Sequence, residues 1–162
     1  MEYRSLKESD SKGLIELIFS VYHDDPLSMW FDSEPGKDGL AVLIRNKRRQ
    51  QSTGNALDII ALDGKKIIGE CEIVRVGIGL GLIGVIIQKS HRRKNVGSTL
   101  LKITLNDAKK LGIIRVYAEI SLRNDIAIKF FEKMGFSMSP NAEANLLRKA
   151  SGSKTTILAK DL

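Results

Sequence analysis

The stretch "KSHRRKNVGS", Lys89 to Ser98, sets four consecutive potentially cationic side chains, His91 to Lys94, before Asn-Val-Gly and an apolar helical start. The chemistry such a stretch can do is the binding of phosphate. A helix entrance carries unpaired backbone N–H groups and partial positive charge. Asn95 and Gly97 are the residues there most at ease with positive φ, which lets a turn wrap its amides around an anion. Arg92, Arg93 and Lys94 add charge-assisted hydrogen bonds to phosphate oxygens. The stretch is neither the GxxxxGK[ST] loop nor the GxGxxG fingerprint, and a solvated basic turn accounts for it equally well taken alone.

Other reactive residue types are few. One cysteine, Cys71, excludes an intrachain disulfide, and with only His23 and His91 no metal site is expected. Cys71 alternates with apolar neighbours and reads as core, while His91 decorates the basic turn. The carboxylates Glu70, Glu72 and Glu119 fall in strand-like segments. A net charge of +7 favours anionic partners: nucleic acid, a phosphorylated cofactor or a membrane surface. The amino terminus, "MEYRSLKESD", has no apolar signal core. The longest apolar run, Ile78 to Ile87, is about half the roughly 20 residues of a membrane helix. A cytoplasmic chain with no membrane partner is the expectation.

These residues must be held by an ordered set of elements. "EYRSL" reads as extended. From about Ser9, Leu14, Ile15, Leu17, Ile18, Val21 and Tyr22 recur at helical spacing, with Ser9 or Asp10 as N-cap. Asp24 to Gly39 is turn-rich, and Leu40 to Gln51 reads as a second helix, strongly basic toward its end and stopped near Gly54. Two strands flank the turn Asp63-Gly64. Leu82 to Ser90 is an apolar strand leading into the basic turn. A helix from Gly97 shows one face of Leu100, Leu101, Thr104, Ala108 and Leu111, with Gly112 as its C-cap. Ile113 to Ile120 is a strand on which Tyr117, Glu119 and Ser121 share a face. A short helix follows, capped by Asn124 and ended by Gly135, and Lys154 to Lys160 closes the sheet. A meander followed by alternating helices and strands defines a mixed α/β (α+β) fold over a single domain, residues 1–162.

Two blocks carry a family resemblance. "VIIQKSHRRKNVGSTLL" followed by "EISLRNDIAIKFFEKMGF" resembles the GNAT N-acetyltransferase superfamily. The family's pyrophosphate motif Q/R-x-x-G-x-G/A maps onto Arg92-Arg93-Lys94-Asn95-Val96-Gly97, with Asn95 in place of the first glycine. The second block, Asn124 to Phe136, is similar to the family's N-x-x-A-I-x-F-Y-E-K-x-G-F, with Phe131 where many members carry a tyrosine that protonates the leaving thiolate. The match covers about a third of the chain and is nearest to the ribosomal-protein alanine acetyltransferase type.

The resemblance implies a mostly antiparallel sheet with helices on both faces and a splayed strand pair at the cofactor site. It implies acetyl-CoA as cosubstrate and direct transfer to a primary amine. Val85, Ile86 and Ile87 would line the pantetheine arm, and the amides of Arg93 to Ser98 would hold the pyrophosphate. Asn124 would contact the arm near its sulfur end, with Phe131 beside it. A free α-amine of pKa about 7.8 is roughly 14% neutral at neutral pH and a lysine only about 0.04%, so a base matters. Glu119, five residues before Asn124, matches the base position of the amino-terminal acetyltransferases, with Glu70 and Glu72 as second choices. Tyr117 or a water would replace the missing acid.

The acceptor stays open: a protein amino terminus, a lysine, a polyamine or another small amine. Asp24 to Gly54, with Trp30, Phe31 and the "RNKRR" cluster Arg45 to Arg49, occupies the place of the family's substrate wall; a solvated helix face explains the cluster as well. A nucleic-acid module explains the charge but not the second block, and a non-catalytic acetyl-CoA binder is the alternative that Phe131 suggests. Two copies could form a homodimer through the carboxy-terminal strands, although no motif asks for it.

Overall fold

A computed structural model describes residues 1–25, 36–139 and 155–162. The elements are β1 (Glu2–Ser5), α1 (Ser11–Asp24), α2 (Lys37–Ser52), β2 (Ala56–Asp63), β3 (Lys66–Gly77), β4 (Leu80–Ile87), α3 (Val96–Lys110), β5 (Arg115–Ser121), α4 (Asp125–Lys133), β6 (Ser137–Met138) and β7 (Thr155–Asp161). Seven strands form one sheet in the order β1-β2-β3-β4-β5-β7-β6, antiparallel except for β4 with β5.

Both faces are covered, because β2 and β3 bury successive residues rather than alternate ones. On one face α3 and α4 pack Leu100, Leu101, Ala108 and Phe131 against Ile59, Cys71, Val116 and Leu158. On the other, Leu14, Ile18 and Val21 of α1 and Leu40 and Ile44 of α2 cover Ile60, Leu62 and Ile67. Leu100 and Leu101 are wholly buried, each contributing about 1.5–3 kcal/mol of apolar transfer.

The element boundaries differ from the sequence reading in instructive ways. Asp10 does not cap α1 with its side chain; its carboxylate accepts the Lys7 N–H at 2.7 Å and both terminal nitrogens of Arg4, closing a 3₁₀ turn ahead of the helix. Helix α2 begins at Lys37, within the segment read as turns. Strand β4 ends at Ile87 because a 3₁₀ turn, Lys89–His91, takes over. Leu111, assigned to the buried face of α3, is 42% exposed, since the helix ends at Lys110 and Gly112 turns the chain at φ +75°. Trp30 and Phe31 lie outside the described residues.

Candidate active site

The feature that makes a site is a failure of pairing. β4 and β5 are in register only from Leu80–Arg115 to Leu82–Tyr117. Beyond that step β4 stays on β3, down to Gly69–Ile87, and β5 stays on β7, down to Ser121–Thr155. The sheet therefore divides into two halves joined at three residue pairs. The facing edges, Ile83 to Ile87 and Ala118 to Ser121, hold backbone donors and acceptors with no strand opposite among the described residues. Such groups require a partner from solvent or from a ligand that carries amides of its own. Val85, Ile86 and Ile87 lie half-buried along this opening.

The basic turn closes the end of the opening. Arg93 and Asn95 both take left-handed φ, +61° and +62°. The first intrahelical bond of α3 runs from Thr99 N–H to the Asn95 carbonyl at 3.0 Å, so the amides of Val96, Gly97 and Ser98 have no carbonyl one turn back. Ser98 Oγ also donates to the Asn95 carbonyl, at 3.0 Å. Arg93, Lys94 and Asn95 are exposed. Arg92 is engaged otherwise than expected: its Nε donates to the Ile87 carbonyl at 3.1 Å and a terminal nitrogen to Asp25 at 2.9 Å. It braces the turn between the ends of β4 and α1. His91, 3.3 Å from Asp63, ties the same turn to the β2–β3 hairpin.

Asn124 caps α4 through Oδ1, which accepts the Ala127 N–H at 3.1 Å. Phe131 is buried in the core, edge-on to Phe130 and Phe136. Phe130, the motif's phenylalanine to which the sequence reading gave no role, lies beside Gly97, where a Cβ would meet both it and Ile87 at 3.5 Å.

On the other side of the opening, Tyr117 stands at the last paired step, wholly buried against Ile157 and Ala159 with the Arg115 guanidinium over its ring. Two residues on, on the same face, half-buried Glu119 accepts a hydrogen bond from Thr155 Oγ at 2.9 Å.

The residue that sequence reasoning missed is Lys47. It belongs to the "RNKRR" cluster, read as a solvated face or a basic wall, yet it is buried under α2. Its ammonium is 3.5 Å from Asp58, 3.3 Å from Glu70 and in direct contact with Glu72. The signal was its spacing: Leu40, Ile44 and Lys47 fall on one helical face. Burial first, and then Glu70 and Glu72, push the Asp58 carboxyl up to about 8, against the pull of Lys47. Burial likewise raises Glu72. Cys71 is core: burial pushes its thiol up to about 12.

A sheet split beside a helix entrance with open amides has the shape and charge for an extended, phosphate-bearing ligand. Comparison with known proteins makes the class specific. The family model "Acetyltransferase (GNAT) family" matches residues 16–136. The chain belongs to that family and is an N-acetyltransferase by membership. No protein of curated function matches it in sequence.

Similar folds include the PaiA N-acetyltransferase of Thermoplasma acidophilum in complex with coenzyme A, at 20% identity and TM-score 0.75, covering 99% of this chain and 98% of that one. The ribosomal-protein-alanine N-acetyltransferase of Brucella melitensis has 15% identity and TM-score 0.78, with both chains covered completely. A phosphinothricin acetyltransferase of Sinorhizobium meliloti in complex with AcCoA has 14% identity and TM-score 0.78, covering 99% and 88%.

Proposed function

We propose that residues 1–162 form one acetyl-CoA-dependent N-acetyltransferase domain that acetylates a primary amine. The observation that carries this reading is the parting of β4 from β5 after Leu82 and Tyr117, with the left-handed Arg93–Asn95 turn at its end. The β4 edge along Val85 to Ile87, no longer paired with β5, suits an amide-bearing pantetheine arm. The free amides of Val96 to Ser98 and the exposed Arg93 and Lys94 suit a pyrophosphate. Arg92 acts by fixing this turn, and Phe130 and Asn124 flank the arm. Coenzyme A complexes of similar folds support the choice of ligand.

Acetyl-CoA supplies a thioester carbonyl and a thiol leaving group of pKa close to that of cysteine, about 8.5. The chain supplies the rest. A β4 amide in the opening donates to the carbonyl oxygen as charge builds there. Glu119, oriented by Thr155, takes the proton that the acceptor ammonium must lose before its nitrogen attacks. The N–C bond forms as the C–S bond breaks. The nitrogen sheds its second proton, and the thiolate gains one from Tyr117 or from water.

Release of free coenzyme A over amino-terminal peptides, lysine peptides, polyamines and small amines tests the reading. Thiol release with at least one amine is the expected result. Calorimetry showing no binding of coenzyme A would overturn it. Glu119→Gln should keep coenzyme A affinity and lose about 10²-fold in kcat/KM, the usual scale of general-base catalysis.

A further inference from the structure

The buried Lys47 cluster faces the same opening. Glu72 pairs with Gly84 across β3 and β4, so both project to the α1–α2 face. Gly84 is exposed, and a Cβ built on it meets no atom within 4 Å. Gly84 follows Leu82 by two residues, as Glu119 follows Tyr117. Glu72 and Glu119 thus stand on either side of the parting strands, with a side-chain-free floor at Gly84 between them. Within the cluster Asp58 is wholly buried and its Oδ2 has no hydrogen-bond partner, whereas Glu72 keeps 21% of its side chain exposed. Glu72 is therefore the member of the cluster that meets solvent.

Building on the transferase reading above, we infer that Glu72 is the carboxylate that receives the acceptor's ammonium group, positioned by Lys47, with the Gly84 floor as its passage to Glu119. The groups facing Glu72 are Lys47 from α2, Asp58 from β2 and Glu70 from β3. Strand β4 brings only Leu80, Leu82, Gly84 and Ile86 to this face, and Arg4 of β1 is committed to Asp10 and Glu2. The cluster sets three carboxyl groups around the one ammonium of Lys47, and burial raises the Asp58 carboxyl. Glu72, its solvent-exposed member, is where a further cation fits, so the acceptor class is an amine with a cationic end.

The test uses the full chain loaded with coenzyme A, with n-butylammonium as the probe and the Glu72 side-chain carboxyl observed by carbon-13 NMR. A saturable shift of that signal is expected. Gly84→Val, which fills the floor, should weaken it at least about tenfold while leaving coenzyme A affinity unchanged. In Lys47→Met the Glu72 titration midpoint should rise by about 1–3 pH units, because an adjacent cation no longer favours the carboxylate. A purely structural lysine would lower the melting temperature and leave the butylammonium affinity of the folded Lys47→Met variant unchanged. Where Lys47→Met does not fold, Gly84→Val decides. Normal coenzyme A binding with no butylammonium shift, or with a shift indifferent to Gly84→Val, overturns the inference and leaves the transferase reading standing. Absent coenzyme A binding is instead the failure of that reading.

Discussion

Asp58 shows what one buried carboxyl does to the whole protein. Its ordinary value is near 3.8, and burial beside Glu70 and Glu72 takes it to about 8. The folded form therefore holds a proton between about pH 4 and pH 8 that the unfolded chain has released. The native state binds more protons across that window, so this group makes stability fall as pH rises, by up to about 1.4 kcal/mol per pH unit. Asn at the same place does not titrate. Urea midpoints of wild type and Asp58→Asn at a series of pH values should diverge in the variant's favour as pH rises; a constant difference would contradict the protonated Asp58. Glu119, by contrast, is half-buried at the edge of the opening and accepts one hydrogen bond from Thr155.

At the scale of elements, the turn into α3 depends on backbone shape more than on charge. Asn95 sits at φ +62° as the N-cap of α3, where the family motif has glycine. Asn95→Gly should keep both stability and coenzyme A affinity. Asn95→Val, forcing a β-branched side chain into left-handed geometry, should cost about 1–2 kcal/mol in denaturation and weaken coenzyme A in calorimetry. Equal behaviour of the two variants would show that the turn's conformation does not matter to binding. Helix α2 teaches the complementary lesson. Of its basic run, Arg48 reaches out to exposed Glu8 at 3.2 Å, while Lys47, one position earlier, turns inward to three carboxylates. Adjacent residues on a helix are about 100° apart, enough to separate a surface charge from a buried one.

Taken whole, the molecule is two half-sheets hinged at three residue pairs, with α3 packed on β2, β3 and β4 and α4 on β5 and β7. A ligand seated in the opening adds partners to both edges at once. Coenzyme A at about 100 times its dissociation constant should therefore raise stability by about 2.7 kcal/mol. Hydrogen exchange should slow at Val85 to Ile87 and at Val96 to Ser98. Protection confined to α1, with none at β4, would place the ligand elsewhere. Core damage acts on the same global quantity: Leu100→Ala, at a wholly buried position, should cost about 2–5 kcal/mol in urea unfolding, whatever the ligand. Among the described residues no helix is long and apolar enough to cross a membrane.

The sequence by itself determined the order and type of the elements, the left-handed Asn95 at the entrance to α3 and the Asn124 cap. Each is a local matter of periodicity, of residues that tolerate positive φ, and of a side chain reaching its own backbone. Only the tertiary structure decided what depends on register between distant segments. It joined Arg92 to Asp25 and to the Ile87 carbonyl, and it put Phe130 rather than Phe131 beside Gly97. It drew Lys47, Asp58, Glu70 and Glu72 from three elements to one buried point. Charge in a sequence is read by default as solvated. Whether a given charge is buried is settled when a helix docks on a sheet and the nearest carboxylates turn out to face it.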